Sequence, residues 1–586
     1  MKLFFLTAFT LLFSISLFAQ KTPYELGNGN QTATYEECIS YYENLAAANK
    51  GVSILTYGKT DCGEPLRLVV VSKGKAPENT FSSIESFIKK NRQENKAIML
   101  VMNGIHPGEP EGIDASMMLA RDLIVDKSQL LEDVVICIIP IYNIGGALNR
   151  NCCSRANQNG PEMYGFRGNA KNLDLNRDFI KGDSKNTWAF WKLFQQWKPD
   201  VFIDNHTSNG ADYQYTMTLI ASQKDKQDFG VKRYMKEMLP MLDNEMKKKG
   251  QEICPYVNVH GQAMEDEIVA FFESPRYSTG YTSLFGTVSF VAETHMLKPF
   301  DQRVLATYQL MQSILTVMVS TKKQLLSRHL YTAGYDATRN YAPVRWKLNK
   351  ETHEEIAFKG YAYEYRESAI PGHKRLFYDH SKPYTKPIKF YNTYTITDSV
   401  KKAMAYILPQ AWGAVADRLK ANGVLIKRVA VDTSITIQGY RIESFEAAKS
   451  PYEGHFPISK IETSTTTDIV NIRKGDYIIL APNRFALETL EPRAHDAFLV
   501  WNFFDAVLQQ KEWFSSYVFE DTAAEILKND PELLKELEAE RQANPDFAKN
   551  YFAQLYFVYK KSPYYEEAHM NYPVYRVLNA LDLPIE

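Results

Sequence analysis

This chain has no excess charge of either sign: across its 586 residues, 68 Lys and Arg face 69 Asp and Glu, for a formal net charge of -1. Net charge therefore gives no reason to expect binding to nucleic acid or to an anionic membrane surface. Cysteine is scarce, six in all, with no C-x-x-C pair, so neither a disulfide scaffold nor a thiolate metal site organises so long a chain. The pairing of Cys38, Cys62, Cys137, Cys152, Cys153 and Cys254 is not legible from spacing, and the adjacent Cys152 and Cys153 read equally well as packing residues or as a redox device. No repeat of fixed period is present. Beyond the N-terminus no apolar run is long enough to cross a bilayer.

The one long apolar run is the opening. In MKLFFLTAFTLLFSISLFAQ a single lysine precedes uncharged residues from Leu3 to about Phe18, followed by small or polar ones. That is the shape of a secretory signal, residues 1–20, with cleavage near Ala19 or Gln20; an uncleaved anchor needs a longer run. The expectation is an exported protein, periplasmic or secreted, with no stable membrane insertion after cleavage and with disulfides permitted. A hydrophobic content of 45% with 13% aromatics provides for large cores in more than one domain.

The first half alternates two kinds of segment. Lys96–Gly104, Asp133–Asn143, Pro199–His206 and Gly286–His295 are continuous apolar runs of buried-strand type. Between and after them, Glu109–Asp126 (with Pro110 in its first turn), Lys185–Trp197, Val231–Lys249 and Arg303–Thr321 carry helical periodicity. Such alternation predicts an α/β fold with a mainly parallel sheet covered on both faces. Around His329–Trp346 turn formers and tyrosines replace it, which places a boundary near residue 335, between a domain over 21–335 and an α+β domain over 336–586. In the latter, 354–368 and 426–445 read as half-exposed strands, 399–423 and 492–513 as helices, and the charged tail from Asp530 to Asn550 as a solvated helix.

Chemistry concentrates at the ends of the apolar strands, where open α/β sheets bind ligands. In NGIHPGEPEG, His106 and Glu109 lie three apart on a turn, and His106 is the only one of the 11 histidines with a glutamate three residues on. His206 closes another strand. Two imidazoles and a carboxylate leave a position open on zinc, as hydrolytic sites do. GFRGNAKNLDLNRDF supplies Asn176 and Arg177, whose amide and planar guanidinium suit a carboxylate. It also supplies Arg167 for a developing oxyanion and Asp174 to orient a metal-bound histidine. Glu293, ending the apolar strand FVAETH, is typed as a general base. Tyr277 and Tyr281 stand upstream as phenols within reach of a substrate.

As an ordered set, HPGE, the later His206, an Arg nine residues before NR, and ETH after an apolar strand resemble the zinc carboxypeptidase family, the carboxypeptidase A-like metallopeptidases, over roughly Tyr24 to Ser327. The resemblance implies a mixed eight-stranded sheet flanked by helices, one zinc ion, and release of a C-terminal amino acid from a peptide with a free terminal carboxylate. By position it makes His106, Glu109 and His206 the zinc ligands, Glu293 the base, Arg167 the oxyanion donor, Asn176 and Arg177 the carboxylate anchor, and Asp174 the support of His106. It implies a substrate tyrosine too, which the STGY context assigns to Tyr281. Two alternatives accompany this reading: a zinc amidohydrolase or deacylase acting on acylated amino acids or cell-wall peptides, and a non-catalytic binding protein. Tyr361, Tyr363 and Tyr365 alternate on a C-terminal strand, a pattern of packing or of a stacking surface.

Overall fold

A run of buried apolar residues can satisfy its backbone only within a sheet or helix, and the apolar segments of the first half do so in one sheet. The computed structural model describes residues 21–586 except 127, 265, 337–338, 481, 495–504, 509–513, 567 and 580–582. The signal-like segment lies outside the described residues, as does most of the helix expected over 492–513. Strands β1 (Val52–Lys59), β2 (Pro65–Val71), β3 (Ala97–Met102), β4 (Val134–Ile139), β5 (Val201–Ser208), β6 (Met217–Ala221), β7 (Ile253–Pro255) and β9 (Val288–His295) make an eight-stranded sheet in the order β1-β2-β4-β3-β5-β9-β6-β7. The short β8 (Glu267–Val269) belongs elsewhere. The central strands β4, β3, β5 and β9 run parallel; β1–β2, β2–β4 and β6–β9 are antiparallel.

Every residue of β3, β4 and β5 is buried, because both faces are covered. Ala97, Met99 and Val101 point into one core with helices Tyr35–Ala48, Glu111–Val125, Phe229–Lys248 and Phe300–Ser320. Ile98, Leu100 and Met102 point the other way, into a core built on helix Lys185–Trp197. This second core also holds Tyr406, Val415, Leu419, Tyr440, Ile479 and Phe485. The stretches before and after residue 335 thus share one interior. Among the described residues no single helix is long and apolar enough to cross a membrane.

Beyond helix Lys322–Asp336, β10 (Tyr341–Leu348) pairs with β13 (Tyr394–Lys401), and the long hairpin of β11 (Glu354–Glu367) and β12 (Lys374–Tyr391) takes β8 as a parallel third strand. A six-stranded sheet of Ala405–Leu408, Leu425–Arg428, Thr433–Ala447, Ile458–Ile472, Tyr477–Leu480 and Tyr575–Val577 follows. Helices Ser516–Asn529, Pro531–Ala543, Pro545–Lys549 and Tyr551–Lys560 complete an α+β arrangement. Part of this differs from expectation. The stretch 399–423 is helical only over Gly413–Ala421: Ala405–Leu408 is a strand buried between Tyr477–Leu480 and Tyr575–Val577, ended by Pro409. Pro110 stands at the N-cap, one residue before the helix. Cys152 and Cys153 are joined to each other, and the remaining four cysteines are free thiols.

Candidate metal centre and active site

At the end of β3 the chain reverses through Gly104, whose φ of +62° is a conformation that favours glycine. It then turns again at His106–Glu109, where the Glu109 N–H donates to the His106 carbonyl at 2.9 Å across Pro107 and Gly108, residues suited to the middle of a turn. The two side chains leave the ends of this turn together. Gly108 is required on other grounds: a β-carbon there would lie 2.8 Å from Cδ of Arg155. His206 lies on β5, where strand alternation puts Asp204 on its face and the parallel register makes Glu293 of β9 its partner.

Three donors converge. His106 Nδ1 is 3.3 Å from Glu109 Oε1, and His206 Nδ1 is 3.0 Å from Glu109 Oε2; the imidazole rings meet edge to face with centroids 5.1 Å apart. The far nitrogens face carboxylates, His106 Nε2 at 2.9 Å from Asp174 Oδ1 and His206 Nε2 at 2.9 Å from Asp204 Oδ2. Arg155 donates from both terminal nitrogens to Glu109 Oε1 at 2.8 and 2.9 Å, and the Thr207 N–H donates to Oε2 at 3.0 Å. Arg167 spans the edge, donating to Asp174 Oδ2 at 2.8 Å and lying 3.3 Å from His106 Nδ1.

Charge in so buried a place has to be matched. Burial works to raise the Glu109 pKa, but Arg155 and His106 outweigh it and hold the carboxyl well below its ordinary value. Burial works to lower that of His206, but Asp204 and Glu109 outweigh it and hold the imidazole well above its ordinary value. Asp174, against His106, Arg167 and Arg177, is held low despite burial. Glu293 goes the other way: burial, aided by Glu109 and Asp204 and opposed by His206 and Arg167, pushes it up to about 8.

A divalent cation fits the donor set. The ligand atoms of His106, Glu109 and His206, all buried, lie within 4.8 Å of one another. The carboxylate bonded to His106 Nε2 fixes the tautomer that leaves its Nδ1 as the free lone pair, as metal-bound histidines require, and Asp204 stands beside Nε2 of His206. Two nitrogens and one oxygen are donors that zinc accepts.

A family model described as zinc carboxypeptidase matches residues 38–307, the stretch that builds this site. Over these residues the chain is similar to the zinc carboxypeptidase family. The family's cofactor is zinc, and a segment of it with this donor set is that of a metallopeptidase, a hydrolase. Among curated proteins none matches. Solved structures similar to the chain include a metallo-carboxypeptidase from Burkholderia cenocepacia at 15% identity, covering 49% of this chain and 70% of that one with a TM-score of 0.37. A metallo-carboxypeptidase from Pseudomonas aeruginosa in complex with (2-guanidinoethylmercapto)succinic acid stands at 16% identity, 50% and 70% coverage and a TM-score of 0.36. Bovine thrombin-activatable fibrinolysis inhibitor in complex with tick carboxypeptidase inhibitor stands at 14%, 50%, 98% and 0.37. These low scores add nothing to the family match.

The carboxypeptidase segment places the remaining residues unequally. Asp174 caps a short turn over Leu175–Arg177, accepting from the Asn176 N–H at 2.9 Å, so Asp174, Asn176 and Arg177 sit on one hydrogen-bonded turn. Arg177 lies over the Tyr277 ring, 4.5 Å from its centroid, and the Ser278 N–H approaches Asn176 Oδ1 at 3.4 Å. The assignment of the substrate tyrosine to Tyr281 is corrected. Tyr281 is wholly buried, ringed by Phe179, Phe190, Trp191, Phe194, Phe285 and Phe485, and donates to Asn422 Oδ1. Its aromatic neighbours make it a core residue, and Tyr277 is the phenol beside Arg177. Sequence reasoning also missed Asp204 and Arg155. Asp204 had a signal, an acid two residues before His206 on one strand face; Arg155, in an irregular loop, had none.

Proposed function

We propose that the chain is an exported zinc carboxypeptidase that hydrolyses the C-terminal peptide bond of peptides. The observation that carries this reading is the buried His106–Glu109–His206 cluster with Glu293 as the register partner of His206 and the Asp174–Arg177 turn tied to His106. Zinc held by the three side chains supplies a Lewis acid for the scissile carbonyl and for water. Glu293 takes a proton from the attacking water and returns it to the leaving amine; a carboxyl whose surroundings raise its pKa is suited to both transfers. Arg167 donates to the oxygen that becomes anionic. Asn176 and Arg177 hold the substrate's terminal carboxylate, and Asp174 and Asp204 keep the imidazoles oriented. The signal-shaped N-terminus supports export to a periplasm or beyond the cell, and the Cys152–Cys153 disulfide suits an oxidising compartment.

The test is mass spectrometry of peptides before and after incubation with the mature, zinc-loaded protein, each peptide supplied with a free and an amidated C-terminus. Loss of single C-terminal residues from the free peptides only, abolished by a chelator, is expected. Cleavage of the amidated peptides at the same rate would refute a carboxypeptidase and point to an amidohydrolase.

A further inference from the structure

One contact reaches the site from a distant part of the chain. Tyr452, Glu453, Gly454 and His455 form a tight turn in which Tyr452 and His455 exchange backbone hydrogen bonds of 2.7 and 3.2 Å, with φ of +50° at Glu453 and +82° at Gly454. Both central residues of such a turn take the left-handed region, which Gly454 adopts freely and which costs a residue bearing a β-carbon. Glu453 is held there by what it touches: its carboxylate Oε2 accepts from the Asp174 N–H at 2.8 Å, and its carbonyl accepts from Lys181 Nζ at 3.3 Å. On either side, the Tyr452 hydroxyl accepts from Arg177 Nε at 2.8 Å, and His455 Nε2 lies 2.6 Å from Asp183 Oδ2. Contacts with both ends of the segment 174–183 seat the turn directly on the residues proposed to anchor the substrate.

We propose that this turn is part of the substrate-binding site: Tyr452 positions Arg177 for the terminal carboxylate, and Glu453 fixes the backbone of the piece that carries Asp174, Asn176 and Arg177. The inference rests on the carboxypeptidase reading. Arg177 is held by the Tyr277 ring beneath its guanidinium, by the Tyr452 oxygen at Nε, and by the Asn176 carbonyl, to which Nη1 donates at 2.8 Å, with Asp174 Oδ2 at 3.7 Å from Nη1. A guanidinium restrained at Nε and Nη1 keeps Nη2 and the second N–H of Nη1 aimed together, the fork that matches a carboxylate. Tyr452 is a positioning residue, and recognition of the carboxylate depends on a stretch well beyond the family match.

The experiment compares wild type, Y452F and E453A as full-length, zinc-loaded proteins. Calorimetry measures binding of N-acetyl-phenylalanine, which ends in a carboxylate, and of its amide; kinetics measure kcat and KM on a free peptide. Y452F, which removes one oxygen from a side chain 41% exposed, is expected to weaken acid binding and raise KM by about tenfold, the loss of one hydrogen bond to a charged group. Amide binding, kcat, zinc content and melting temperature are expected to stay put. E453A is expected to weaken acid binding in the same direction. Unchanged acid affinity in Y452F overturns the proposal. So does tighter binding or a lower KM, which would make the turn a plug over the site, and so does an equal loss for acid and amide, which would make its role structural. A wild type that binds the acid in preference to the amide and hydrolyses nothing would instead refute the carboxypeptidase reading and leave the positioning role standing.

Discussion

At the scale of single residues, the site separates groups that hold from groups that react. Glu109 sits between Arg155 and two imidazoles and is kept ionised, whereas Glu293, two strands from the turn that carries Glu109, is pushed up to about 8. Exchanging Glu293 for Gln keeps shape and volume while removing the proton acceptor, so E293Q is expected to retain zinc stoichiometrically, by metal analysis, and to lose about two to four decades of turnover. R167A is expected to lose about two to three decades with zinc equally retained; full activity in either variant would remove that residue from the mechanism. A second carboxyl shows the same physics without chemistry. Asp114 is wholly buried, accepts from Thr32 Oγ1 and from the Ala33 N–H, and burial raises its pKa to about 7. The folded state therefore keeps a proton that the unfolded chain releases near pH 4, and the stability this contributes is lost as pH rises from there through about 7. D114N, neutral throughout, is expected to gain on wild type by on the order of 2 kcal/mol between pH 5 and pH 8 in urea denaturation. A gap that does not change with pH would mean that Asp114 is ionised in the fold.

At the scale of elements, helix Glu111–Val125 holds the metal-binding turn at its N-terminus, and no side chain caps it. Its first residue is fixed instead by a buried ion pair: Glu111 meets Arg303 of helix Phe300–Ser320, accepts from Thr207 Oγ1 at 2.7 Å, and Arg303 also donates to the carbonyls of Asn159 and Gly160. R303M leaves that carboxylate buried without its cation, which costs about 3–5 kcal/mol; an unfolding free energy within about 1 kcal/mol of wild type would show that Thr207 suffices. The elements that carry the site were also the legible ones. Parallel strands buried on both faces read as continuous apolar runs; β3, β4 and β9 lie within the segments so read, and β5 runs past His206 to Ser208. Their ends then pick out His106, His206 and Glu293. Legibility failed where partners come from far away. Ala405–Leu408 is a four-residue apolar run that only neighbours some 70 and 170 positions onward make a strand. Tyr281 and Tyr277 are alike in sequence, and the distant Phe485 and Asn422 decide which is core.

At the scale of the whole molecule, the stretch that matches a peptidase family does not end where its packing ends. Helix Lys185–Trp197 buries Trp191 against Phe485, their rings 6.2 Å apart, and helix Gly413–Ala421 lies across it, with Arg418 donating to the carbonyls of Lys181 and Gly182 at 2.8 and 3.1 Å. On another side β8 pairs with β12, and Tyr213 packs on Phe358 with centroids 6.2 Å apart. Ending the chain at residue 335 would bare these faces together, and exposing each large buried apolar side chain costs about 1.5–3 kcal/mol, so a handful of them matches the roughly 5–15 kcal/mol by which a domain is ordinarily stable. Residues 21–335 alone are therefore expected to be insoluble, or soluble only as a species that binds hydrophobic dyes, melts without a cooperative transition and retains no zinc after dialysis. Should this fragment instead melt cooperatively with one zinc bound, the interior shared across residue 335 would be an interface between two independently stable domains, and the fragment's KM for free peptides would then report what the Tyr452–His455 turn contributes to the site.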